Sequence, residues 1–112
     1  MDHTWKTIEA LCEWLDAESP VTGKTARLLR ILKIGEEFGE VAEAVHGMLG
    51  TNPRKGRTHT ADHLCKELCD VIVTSMVALA SITEDPDDLF DARLREIADR
   101  SLKETGARVA HR

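Results

Sequence analysis

Between a few strong breaks, the apolar residues of this chain recur at helical spacing, and no stretch alternates as a half-buried strand would. That pattern limits the chain to an all-α fold with four helical segments. The first runs from Thr4 to Glu18, with Ile8, Leu11, Cys12 and Leu15 on one face, and Ser19-Pro20 ends it. The second starts at Thr22 or Gly23 and reaches Leu49, with Ile34, Phe38, Val41, Val45 and Leu49 as its core stripe. Gly50 through Arg57 is a loop by its Gly, Pro and Asn content. A third helix begins after Thr58 or Thr60, either a good N-cap, and continues to Ile82. Its Val71, Ile72, Val73, Met76, Val77, Leu79 and Ala80 cover most of the circumference, which predicts burial nearly all round. In the fourth, Asp85 caps, Pro86 fills the first turn, and Asp87 and Asp88 complement the dipole. Phe90, Leu94, Ile97 and Ala98 form its expected buried stripe, and Gly106 its expected stop.

A chain of 112 residues fits one domain, 1–112, and a core this small gains from oligomerisation. Its net charge of −5 argues against general nucleic-acid binding, which draws on excess Lys and Arg. Cys12, Cys65 and Cys69 are an odd set without a Cys-x-x-Cys motif, as suits reduced thiols in the cytosol. The first residues lack the regions of a signal peptide, and Val71 to Ala80 is too short to span a bilayer. The expectation is a soluble, cytoplasmic protein with no membrane partner.

The chemistry-bearing residues are acidic. At about 100° per residue, Glu36, Glu37 and Glu40 share an arc of about 100° on the second helix, opposite Phe38, Val41 and Val45. Ala44 and Gly47 continue that face and are expected to leave space above it. Glu67 and Asp70 fall about 60° apart on the third helix, with His63 between them in angle. Antiparallel packing of the two helices would set one carboxylate pair against the other. Such a cluster repels itself and raises its own pKa values unless a hard cation such as Mg²⁺ takes the oxygens. A single Glu-x-x-Glu is ordinarily a solvated face. Two acidic pairs, each leading into an apolar run and separated by one loop, are less ordinary. Asp70 borders Val71-Ile72-Val73, where a carboxylate is costly unless paired or metal-bound.

Gly35-Glu36-Glu37-Phe38-Gly39-Glu40 followed by Glu67-Leu68-Cys69-Asp70 resembles the signature of the MazG-like, all-α nucleoside triphosphate pyrophosphohydrolases. The similarity covers roughly Leu28 to Leu79 and is specific as a pair of motifs, weak as either half. The resemblance implies a four-helix bundle that forms a homodimer or a dimer of dimers. It implies Mg²⁺-dependent cleavage between the α and β phosphates of a nucleoside triphosphate, with Mn²⁺ able to substitute and nucleotide-pool cleaning as the role. By the same resemblance Glu37, Glu40, Glu67 and Asp70 hold the metal, and Glu36 orients or deprotonates the attacking water. Helix geometry alone leaves Glu36 open as a ligand too. Related members often carry a Lys and an Asn on the last helix near the phosphates. Here that segment offers Arg93, Arg95 or Arg100 instead.

Arg54, Lys55 and Arg57 crowd the loop between the acidic helices, where they either close over a triphosphate or stand as a solvated basic loop. His63 stands near Glu67, as a substrate contact or a plain surface His. The pairs His59/His63 and Cys65/Cys69 lie about 200° apart on one helix, too far round to share a tetrahedral zinc. Gly23-Lys24-Thr25 lacks the Gly and the strand that a phosphate-binding loop requires. Trp5 and Trp14 read as core or interface residues, with a base-stacking role the lesser alternative. Two rival functions stand beside the hydrolase. Glu43 and His46 form one Glu-x-x-His of the di-iron type, but no second motif accompanies it. A non-enzymatic helical dimerisation module would use the carboxylates only as a charged surface.

Overall fold

Local chemistry sets each helix end. In the computed structural model, which describes residues 2–102, the order is α1 (Asp2–Glu18), α2 (Gly23–Leu49), α3 (Ala61–Ile82) and α4 (Pro86–Leu102), with no strand among the described residues. These bounds match the sequence reading closely; Gly106 lies outside the described residues. α2 ends on Gly50, whose φ of 67° is left-handed and whose N–H donates to the His46 carbonyl. A residue without Cβ adopts that conformation at least cost. α3 opens with a reciprocal cap: the His63 N–H donates to Thr60 Oγ1 (3.3 Å) and the Thr60 N–H to His63 Nδ1 (3.1 Å). This is a capping box with His where Glu or Gln is usual.

The described chain divides into two compact units, α1 to α3 and α4. In the first, α3 is central and packs against both α1 and α2. Ile8, Cys12 and Val77 form the buried cluster, with Trp5, Leu15, Met76 and Ala80 packed around it. Contacts pair the start of α2 with the end of α3, as Arg30 with Ser81, and the end of α2 with the residues just before α3, as Gly47 with Thr58. The two helices therefore run antiparallel. Arg30, nearly buried, ties all three helices: one nitrogen donates to Asp16 Oδ1 (2.7 Å) and another to Ser81 Oγ (2.9 Å).

The burial expectations are corrected on each helix. Of the expected apolar stripe of α2, Ile34 and Val41 are half-buried, but Phe38 is 64% exposed and Leu49 66%, and Val45 is exposed as well. α2 has a second face on which Ala26, Glu37 and Ala44 lie within about 20° of one another. Ala26 and Ala44 are buried there, and Glu37 meets α3 on the same side. Small side chains let the helices approach closely, so α3 docks on that face and leaves the Phe38 row outside. α3 is likewise not buried all round, since Leu68, Ile72 and Val73 are exposed. Leu11 and Trp14 on α1 are also exposed, whereas Trp5 packs on the core.

The second unit is α4. The Asp85 carbonyl accepts from the Leu89 N–H (3.1 Å), and Asp87, Asp88 and Arg100 sit where the helix dipole favours them. Phe90, Leu94 and Ile97, expected to be buried, are exposed. No described helix is long and apolar enough to cross a membrane.

Candidate metal centre

The antiparallel register brings one turn of α2 against one turn of α3. There Glu37, Glu67 and Asp70, all half-buried, place one carboxylate oxygen each within 4.8 Å of one another. Around octahedral Mg²⁺ neighbouring oxygens stand about 3.0 Å apart and opposite ones about 4.2 Å, so the three carboxylates draw closer when they share one cation. The donor set is all-oxygen and anionic, the kind that hard divalent cations take.

The electrostatics show the strain of this crowding. The Glu67 carboxyl is held above its ordinary range, first by partial desolvation and then by the charge of Glu40. A hydrogen bond with Asp70 and the charges of Asp70 and Glu37 push the same way. Ionising Glu67 beside these carboxylates is therefore unfavourable unless positive charge enters. One protein cation stands close by: Lys33 Nζ lies 4.0 Å from Glu37 Oε1, one helical turn earlier on α2.

Of the four expected metal ligands, three meet. Glu40, exposed on the outer side, is near enough to raise Glu67 but is not one of the three whose oxygens converge. Glu36 is exposed on the preceding turn.

The expected substrate contacts are placed less centrally. The loop after α2 folds on Asn52, whose carbonyl accepts from the Lys55 and Gly56 N–H groups (3.1 and 2.9 Å) and whose Oδ1 accepts from the Arg54 N–H (3.0 Å). The Thr58 N–H then donates to the Gly47 carbonyl (2.9 Å), which pins the loop to the end of α2. Lys55 lines a pocket of about 450 Å³ with Glu43, His46, Thr51, Thr58 and His59. The space expected above Gly47 is filled, because the His59 ring and the Thr58 hydroxyl rest where a Cβ would go. His63 spends its Nδ1 on the cap of α3 and meets His59 edge to face, ring centroids 5.5 Å apart. Arg93 belongs to α4, where it pairs with Glu96 at 3.0 Å.

Sequence reasoning missed Lys33. A lysine four residues before a glutamate reads as a solvated helix pair, and the available signal was only that it shares Glu37's face. It also lines an apolar groove of about 280 Å³ with Leu15, Val21, Leu29, Val73 and Val77, between the three helices of the first unit. No family model, curated protein or solved structure matches this chain.

Proposed function

We propose that this chain is a Mg²⁺-dependent nucleoside triphosphate pyrophosphohydrolase of the MazG-like all-α type, acting as a homo-oligomer in nucleotide-pool cleaning. The observation that carries the reading is the convergence of Glu37, Glu67 and Asp70 from two helices onto one point. Those are three of the four ligands that the motif resemblance implies, and the crowding that raises Glu67 is the state a divalent cation relieves. Bound there, Mg²⁺ or Mn²⁺ supplies charge neutralisation for a polyphosphate.

The chain's own residues do the rest. Glu37, Glu67 and Asp70 hold the cation, with Glu40 completing the acidic set from the outer side. Glu36, exposed one residue before Glu37, accepts a proton from the water that attacks the α-phosphorus. Water adds to the α-phosphoryl group, the α–β anhydride bond breaks, and the products are a nucleoside monophosphate and pyrophosphate. The exposed Ile31, Phe38, Val45 and Leu49 lie within about 40° around α2. A continuous apolar row of that length supports a second subunit as its cover.

Phosphorus NMR on a panel of nucleoside and deoxynucleoside triphosphates with Mg²⁺ tests the reaction. The expected first product is pyrophosphate from at least one of them. Orthophosphate as the first product, or no turnover across the panel, contradicts the reading.

A further inference from the structure

Lys33 is the one cation that an ion pair ties to the carboxylate triad among the described residues. A half-exposed pair at 4.0 Å adds little to stability, so its placement calls for another account. The same side chain lines the apolar groove beside Leu29, Val73 and Val77. A lysine can lay its aliphatic stem along such a wall and keep its ammonium at the polar end. Here the ammonium lies 4.0 Å from Glu37 of the triad.

We infer that Lys33 is the substrate-positioning cation of this centre. In the metal-free protein its ammonium neutralises Glu37. When a divalent cation takes the Glu37 oxygen, that pairing is lost and the ammonium repels the incoming charge. It then pairs with an anionic phosphate oxygen held at the same point. Lys33 thus exchanges one carboxylate for one phosphate oxygen, and the groove wall keeps it from swinging away. This role rests on the proposed function, because it needs a cation at the triad and an anionic ligand on that cation.

The test uses the full chain as wild type, Lys33→Gln and Lys33→Arg, with titration calorimetry in two stages. The first titrates Mg²⁺ alone into metal-stripped protein; the second titrates inorganic pyrophosphate at saturating Mg²⁺. Lys33→Gln should bind Mg²⁺ as tightly as wild type or more tightly, because a competitor for Glu37 is gone. Its affinity for pyrophosphate should fall roughly tenfold, the loss of one charge-assisted contact at a half-exposed position. Lys33→Arg, which keeps the charge, should retain most of that affinity. Unchanged pyrophosphate binding in Lys33→Gln overturns the role of Lys33 while leaving the hydrolase reading intact. An equal loss of Mg²⁺ affinity also overturns it, since Lys33 would then act only on the shape of the triad. Wild-type protein without a saturable Mg²⁺ site overturns the proposed function itself, and this role with it.

Discussion

Replacing Phe38 by Ala distinguishes a surface side chain from one that a second subunit covers. A Phe side chain carries roughly 200 Å². With 64% of Phe38 exposed, the chain alone covers only about a third of it. At about 25 cal/mol per Å², losing that covered part costs about 2 kcal/mol. The better helix propensity of Ala returns roughly 0.5 kcal/mol. If a partner covers the remaining area, about 3 kcal/mol more per protomer is lost. A two-fold interface contains Phe38 twice, which weakens the dimer by several orders of magnitude at 1.4 kcal/mol per tenfold. Sedimentation equilibrium from nanomolar to micromolar protein reads this directly. Wild type should be a dimer or larger, and Phe38→Ala should dissociate within the measured range while remaining helical. A monomeric wild type at micromolar concentration, or a variant that assembles as tightly as wild type, refutes the reasoning.

Glu36→Gln should lower kcat by roughly 10²–10⁴ with Mg²⁺ affinity unchanged, as fits loss of a general base; an equal loss of metal would place Glu36 in the coordination shell. The raised Glu67 carboxyl makes the folded, metal-free protein bind more protons than the unfolded chain, between the ordinary carboxylate pKa and the raised one. Stability in a chelator should therefore fall as pH rises through that window, and Glu67→Gln should flatten the profile in urea melts at stepped pH; a slope of the opposite sign contradicts the assignment. Gly47→Ala would put a Cβ 2.6 Å from Thr58 Oγ1 and 2.8 Å from His59 Cγ. Overpacking of about 1–3 kcal/mol then opposes about 1 kcal/mol of gained helix propensity. A lower Tm with a shifted His59 imidazole resonance is expected; a more stable variant with His59 unmoved is not compatible with this contact.

Much of this fold can be read from the sequence because its punctuation is local. Pro20, Gly50, Thr60 and Pro86 act on their own dihedrals or on hydrogen bonds a turn away, so the helix limits follow without knowledge of the tertiary structure. Burial is not local. α2 carries an apolar row through Phe38 and Leu49 and a small-residue row through Ala26 and Ala44, and periodicity weights the first more heavily. The chain packs its own α3 on the second. The triad is legible because helix phase and antiparallel pairing are enough to make Glu37 face Glu67 and Asp70. Lys33 and the filling of the space above Gly47 depend on where side chains from other segments come to rest, which spacing does not encode.

Titration calorimetry with Mg²⁺, on metal-stripped protein without nucleotide, tests most directly whether the carboxylates of α2 and α3 act as one centre. Wild type should show a saturable site. Glu37→Gln, Glu67→Gln and Asp70→Asn, each removing one converging oxygen donor from a helix that stays folded by circular dichroism, should all weaken it. Featureless heats in the wild type, or binding that survives all three substitutions, would mean that the cluster is only a charged surface.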